Sequence, residues 1–325
     1  MQVTLQIDEL SALLESAGPE FVCDSLNQLL SWSRPVPVAE SSPEEMLCRV
    51  FQSAQATAFY TALADGLKPE LGQYWLRADP VSLQAGMSRV FLAACGAPQL
   101  PTADRQQLQE TLNQHFSEDG LEFFLPNNQR WYIRLAEGHS YANSEAAAGL
   151  FPSPRALLGK DISKATTATD KYWQQCFTEL QMFLFAEPCN KQRENSGHTA
   201  ITGLWLWGGG AVTALPVVAT NLHSWGNSSL LQGLCQASDS PWHQAIKITA
   251  EGEHLIHWST EQSGTAAEQL QLLDQQVFLP LCNAVTQGAS AQLVVADAGC
   301  WHIRQRLRWP WRKSTNAWTM LVKNG

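Results

Sequence analysis

Residues 203–210 read GLWLWGGG: two tryptophans alternate with leucines and run into three consecutive glycines. An unbroken apolar run of this kind predicts a strand buried on both faces. Glycine takes positive φ without a Cβ clash and lets other groups approach the backbone closely. Gly208, Gly209 and Gly210 therefore read either as a tight turn at a sheet edge or as a loop facing an anion or substrate. The nucleotide fingerprints are missing. GxGxxG fails because Thr213 stands where its last glycine belongs, and GxxxxGK[ST] does not occur.

Upstream of this run, Trp173, Cys176, Phe177, Leu180, Phe183 and Leu184 form a wide apolar stripe. The stripe predicts a helix starting at Asp170 and ended by Pro188. The polar stretch CNKQRENSGHT (189–199) reads as the connection into the tryptophan strand. Within it, Asn190 and Arg193 either orient a phosphate or carboxylate or satisfy loop backbone. Residues 137–169, rich in Ala, Gly, Ser, Thr and Pro, read as a long loop or linker. Earlier, YWLRADPV (74–81) and SRVFLAA (88–94) predict strands. TADRQQLQETLNQHF (102–116) predicts a helix with Leu108, Leu112 and Phe116 on one face, and LEFFL and RWYIRL flank the turn PNNQ. Residues 1–70 read as helical and loop-broken, with Leu10, Leu13 and Leu14, then Leu26, Leu29 and Leu30, at helical spacing. Ser42 is placed to cap a helix, with Pro43 in its first turn and Glu44 and Glu45 at its positive end. After Gly210, short strands and helices alternate. The whole predicts an α/β fold, a sheet with helices packed on it.

The totals narrow the function classes. The chain has 325 residues, of which 45% are hydrophobic and 16% charged, enough for a sizeable core. A net charge of −9 argues against a general nucleic-acid binder, which gains affinity from a basic footprint. The start, MQVTLQIDELSALLES, lacks the basic-then-apolar pattern of a signal peptide. No apolar run approaches the ~18 residues of a membrane span. The eight cysteines are scattered with no CxxC pair, and read as reduced thiols of a cytoplasmic protein.

Several residue groups carry candidate chemistry. Arg77 and Asp79 lie two apart on a strand and share a face. They suit a polyol or carboxylate clamp, and equally a self-satisfied ion pair. Asp239 and His243 have DxxxH spacing across Pro241. His254 and His257, in HLIH, point to opposite faces if the segment is a strand, which is poor for one metal. GxSxG is absent, and nothing activates Cys300 beside Trp301 and His302. In extended form the 301–312 stripe WHIRQRLRWPWR directs His302, Arg304, Arg306 and Arg308 one way and Trp301, Ile303, Leu307 and Trp309 the other. It reads as a solvent-facing strand, an anion-facing wall, or a nucleic-acid or headgroup patch.

YWLRADPVSL, LNQHFSEDGLEFF, RWYIRL, EPCNKQRENSG and LWLWGGG stand in an order that resembles a bacterial phosphoglycerate-mutase-like family. The likeness is to a short proteobacterial branch, some members of which are named regulatory proteins of pathogenicity-factor gene clusters. NKQR followed by LWLWGGG also resembles the N…R…WLWGQG segment of archaeal-type cofactor-independent phosphoglycerate mutases. The resemblance covers roughly residues 65–215 and implies a reduced alkaline-phosphatase-like core, residues 1–70 and 200–325. An inserted α/β substrate-type domain, 71–199, would include the 137–169 linker. It implies that Arg77 matches the arginine of the RxN strand, with Asp79 in place of its Asn. Asn190 and Arg193 match the N…R pair, Gly208 and Gly210 match the glycines of WGQG, and Gly209 replaces its Gln.

The family's two-metal ligands have no clear counterparts. Asp65-Gly66 comes too late for the opening Asp-Gly site, no Asp-His dipeptide occurs, and Asp239, His243 and His257 are the remaining metal candidates. The reading is a catalytically lapsed protein without a cofactor. It would bind a small phosphorylated or carboxylated ligand, or a protein partner, in a regulatory or accessory role. The alternatives are an active mutase or phosphatase using a divalent metal such as Mn or Zn, and a nucleic-acid or partner-binding protein using the 301–312 stripe.

Overall fold

The computed structural model describes residues 1–37, 42–87, 89–142, 151–167, 170–248, 252–259, 265–295, 298–305 and 316–322. The chain divides into two units, Met1–Gln52 with Val217–Gly325, and Ser53–Pro216. The sequence-based boundaries at 70/71 and 199/200 thus fall inside the second unit.

The first unit opens with strand β1 (Gln2–Ile7), where the sequence had suggested only helix. Val3, Leu5 and Ile7 are fully buried in strict alternation, the mark of a strand with one face in the core. Helices α1 (Leu10–Ala17) and α2 (Asp24–Ser31), strand β2 (Ser33–Val36) and helix α3 (Pro43–Val50) follow. Ser42 caps α3 as its sequence predicts, accepting from the Glu45 N–H at 3.1 Å.

The second unit contains α4 (Thr57–Ala64), β3 (Tyr74–Ala85), β4 (Val90–Cys95), α5 (Thr102–His115), β5 (Leu121–Phe124) and β6 (Tyr132–Leu135). Helices α6 (Ser163–Thr167), α7 (Lys171–Ala186) and α8 (Pro188–Asn195) and strand β7 (Gly203–Ala211) complete it. The polar stretch after Pro188 is therefore largely helix. A proline is compatible with a first helical turn, where its missing N–H has no intrahelical partner to lose. The strands form an antiparallel sheet ordered β4-β3-β6-β5, with β7 along the other edge of β3. Its core joins Leu108, Leu112 and Phe116 of the α5 segment to Trp173, Leu180 and Leu184 of α7.

The glycines of the opening motif lie in β7 itself and make no turn. Trp75 pairs with Gly210 and Arg77 with Trp207, so Gly208 and Gly209 oppose the single residue Leu76. Gly208, at φ 59°, supplies the left-handed residue of this β-bulge. A Cβ on Gly210 would lie 2.9 Å from both the Ala56 Cβ and the Gln55 carbonyl oxygen. Glycine there lets the start of α4 sit against the strand.

The chain then returns to the first unit with β8 (Leu222–Gly226), α9 (Ser229–Ala237), β9 (Trp242–His243) and β10 (Glu253–Trp258). Helices α10 (Ala266–Leu273) and α11 (Leu279–Thr286) are joined by a π-helical turn at Asp274–Phe278, just before Pro280 breaks the regular bonding. Strands β11 (Ser290–Val295) and β12 (Gly299–Arg304) and helix α12 (Ala317–Leu321) end the unit. Its seven-stranded sheet has the order β2-β12-β11-β1-β10-β8-β9. Strands β11, β1, β10, β8 and β9 run parallel; β12 runs antiparallel to β11, and β2 antiparallel to β12. Among the described residues, no helix is long and apolar enough to cross a membrane.

Candidate functional site

In open α/β sheets, ligands bind beyond the carboxyl ends of the parallel strands, where loops diverge. Here β1 and β10 are neighbours in parallel register, with Ile7 beside Trp258, and the Asp8 N–H donates to the Trp258 carbonyl at 3.1 Å. That register sets Asp8 beside His257. Asp8 Oδ1 and His257 Nε2 are 3.0 Å apart, with His257 buried and Asp8 partly open. An ionised carboxylate only accepts, so Nε2 donates to it. Nδ1 is shut off from water and has no partner among the described residues.

The surroundings are tightly built. Gln6 donates to the Pro43 carbonyl at 2.9 Å and so docks the first turn of α3 on β1. Glu44, the next residue, then lies within reach of the Asp8 charge. Burial, with that charge second, pushes the Glu44 carboxyl above the usual carboxylate range. Gly226 ends β8 at φ 125°, and a Cβ there would stand 2.0 Å from the His257 carbonyl oxygen. Asn227 locks the next step, accepting from the Ser259 N–H at 2.7 Å and donating to its carbonyl at 2.8 Å.

Of the metal candidates, only His257 belongs to this edge. Asp239, at φ 52°, is the left-handed residue that ends α9, and the Ser240 N–H returns to the Cys235 carbonyl at 2.9 Å. His243 is exposed, its ring centroid 5.0 Å from that of Trp225. His254 accepts from Trp225 Nε1 at 3.1 Å, so it and His257 have separate partners, as strand alternation requires. Among the described residues, no three His, Cys, Asp or Glu side chains gather as a metal site needs. These residues do not fit a two-metal centre.

The remaining candidates lie in the second unit. Arg77 and Asp79 are 2% and 4% exposed. Arg77 donates from Nε at 2.8 Å and from Nη2 at 2.7 Å to the two Asp79 oxygens, and Trp207 Nε1 donates to Asp79 Oδ2 at 2.7 Å. The register puts Tyr132 and Trp207 on either side of Arg77. Its guanidinium lies 5.5 and 5.0 Å from their ring centroids. Asn190 donates to the Leu184 and Ile201 carbonyls and accepts from the Ile201 N–H. Arg193 donates to the Thr199 and Pro98 carbonyls. Both residues tie α8 to the segment leading into β7.

Asp65, at the end of α4, accepts from Arg130 Nε at 2.9 Å and from the Tyr132 hydroxyl at 2.6 Å. Burial alone would raise its carboxyl, but the hydrogen bonds and charge of Arg130, with Tyr132, hold it below the usual range. In the basic stripe, Trp301 and Ile303 are buried while His302 and Arg304 face solvent, as alternation predicts. Arg306, Arg308 and the rest of the stripe to 312 lie outside the described residues.

Sequence reasoning passed over Asp8, Gln6 and Glu44 as site residues. The available signal was VTLQID: a strict alternation of Val3, Leu5 and Ile7 that ends on an acidic residue.

No family model and no curated protein matches this chain. Among solved structures, it is similar to the PH0037 protein from Pyrococcus horikoshii, with a TM-score of 0.48 and 12% identity, over 97% of this chain and 90% of that one. It is also similar to a cofactor-independent phosphoglycerate mutase from Thermoplasma acidophilum, with a TM-score of 0.42 and 11% identity, over 98% and 94% of the two chains.

Proposed function

We propose that this chain is a catalytically lapsed relative of the phosphoglycerate mutases, with a reduced alkaline-phosphatase-like core. It binds a small phosphorylated or carboxylated hydroxy acid at the carboxyl edge of the first unit's sheet, in a regulatory or accessory role. The observation that carries this reading is the Asp8–His257 pair at the carboxyl ends of β1 and β10, with Asp8 partly open. A ligand hydroxyl would donate to the partly open Asp8 carboxylate, while Glu44, held towards its neutral form, would donate to the ligand's acid oxygen. Because the neutral Glu44 is the binding form, affinity should rise as the pH falls through its raised pKa.

Phosphoryl transfer of the mutase kind needs ions that activate a nucleophile and neutralise the moving charge. In our reading Asp239 and His243 serve structure, and Asp8 is committed to His257. The eight free thiols favour a reducing compartment.

The test combines turnover and binding. Mutase and phosphatase assays with manganese, zinc or magnesium should show no turnover. Titration with 3-phosphoglycerate should give saturable binding that His257→Ala weakens at least ~10-fold, or about 1.4 kcal/mol. Metal-dependent turnover, or binding indifferent to His257→Ala, would sink the reading.

A further inference from the structure

On strands β1, β11, β12 and β2 the first unit's sheet buries one face and leaves much of the other open. Val3, Ala291, Trp301 and Ile303 point into the core. Strand alternation turns their neighbours the opposite way. That opposite face carries Thr4 and Gln292, half-buried and paired in register, and then His302 and Arg34. His302 and Arg34 are both exposed and stand directly opposed across the β12–β2 ladder. Arg304, two residues beyond His302, is exposed on the same face, where it opposes Ser290. The four strands contain no Asp or Glu. Among the described residues, neither Arg34 nor Arg304 has a carboxylate partner. Register alone brings these basic groups from two distant stretches of sequence onto one surface.

Charge and spacing select the occupant. The chain has a net charge of −9, yet residues 298–325 hold six Lys or Arg and no Asp or Glu. A basic face on an acidic chain is complementary to an anionic partner. Arg34 and Arg304 occupy neighbouring strands two positions out of register, a diagonal of about 7–8 Å. In an extended chain, side chains on one face recur every ~6.6–6.8 Å, so carboxylates at alternate positions match the two guanidiniums. Nucleic acid fits less well. Among the described residues this face presents no Trp, Tyr or Phe for base stacking, Trp301 being buried on the other side, and the acidic remainder of the chain repels a polyanion. We propose that this face docks an acidic, extended segment of a partner protein, held by Arg34 and Arg304 beside His302. The surface shares no residue with the Asp8–His257 edge and does not rest on the mutase-like reading.

The test titrates the full chain into a short, fluorescently labelled peptide of alternating glutamate and threonine at low salt and follows its anisotropy. Saturable binding with a Kd of about 100 μM or tighter is expected, weakening as salt is added. The double variant Arg34→Ser with Arg304→Ser should weaken it about 5-fold or more, because two ion pairs are lost. Both side chains are exposed, so the variant should melt as the parent does. A peptide with glutamine in place of each glutamate should not bind. The proposal is overturned if the acidic peptide does not bind, if the glutamine peptide binds equally well, or if the double variant binds the acidic peptide as the parent does. It is also overturned if a short oligothymidylate or phosphatidylserine vesicles bind more tightly than the acidic peptide.

Discussion

Replacing Asp79 with alanine separates a scaffold from a ligand clamp. The carboxylate accepts from Arg77 Nε and Nη2 and from Trp207 Nε1 at 2.7–2.8 Å, and Asp79 is only 4% exposed. Alanine leaves the Arg77 charge buried with its carboxylate gone and the Trp207 N–H without that acceptor. Removing one partner of a buried pair costs about 3–5 kcal/mol. Each kcal/mol lowers the Tm of a unit of this size by about 2–4 °C, so the loss should be about 6–20 °C. Thermal unfolding followed by far-ultraviolet circular dichroism measures it. The double variant Arg77→Met with Asp79→Leu should recover most of the loss, because it removes both charges and keeps apolar volume. A single variant that melts within about 2 °C of the parent would refute the reasoning, since no intact buried pair can lose its acid so cheaply. The same result with loss of ligand binding would restore Arg77 and Asp79 as a clamp.

Other perturbations test the packing around these sites. Gly210→Ala should destabilise the second unit by about 1–3 kcal/mol, because its methyl meets Ala56 and the Gln55 carbonyl at 2.9 Å. A urea midpoint equal to the parent's would show that α4 can retreat freely. Asp274→Ala should cost about 2–4 kcal/mol, read as a lower urea midpoint with an unchanged m value. Its carboxylate caps α2 from a distant element, accepting from the Ser25 and Leu26 N–H groups, the Ser25 hydroxyl and the Cys23 thiol. An unaltered midpoint would show that water replaces this cap without loss. Asp65 gives a pH signature. Its folded pKa lies below the ordinary 3.8, so its contribution is complete above that value and disappears as the pH falls through the depressed one. Asp65→Asn should therefore flatten the acid limb of the second unit's stability, and an acid limb as steep as the parent's would contradict the linkage.

How far the sequence reveals this molecule depends on where each signal comes from. The α3 start was legible because Ser42, Pro43 and Glu45 act within one turn. The α5 and α7 stripes were legible because their spacing alone sets a face. Strand β1 is easily missed because its six residues are few beside the helical leucines that follow. The glycine triplet looked like a turn because glycine is common in turns. What fixes its form is the bulge against Leu76 and the approach of Ala56, neither of which is local. The Asp8–His257 pair was not legible at all, since its members are 249 positions apart and only strand register joins them.

That contrast bears on how the motifs should be read. The segments carrying the mutase resemblance include Arg77, Asp79, Asn190, Arg193 and the glycines of β7. In the fold, Arg77 and Asp79 bond each other and the Trp207 indole, and Asn190 and Arg193 bond nearby backbone. Gly210 meets the start of α4. Such residues keep an architecture whether or not a substrate is handled, because a lost partner leaves a buried polar group unmet. Their order along the chain is therefore evidence about fold first, and activity has to be argued from the site itself. At the carboxyl edge of the first sheet, the described residues bring together the partly open Asp8, His257 and a Glu44 carboxyl held above its usual range. Moving a phosphoryl group requires a nucleophile and the charges that stabilise its transfer, whereas holding a hydroxy acid requires only hydrogen-bond partners, so turnover and binding have to be measured separately at that edge.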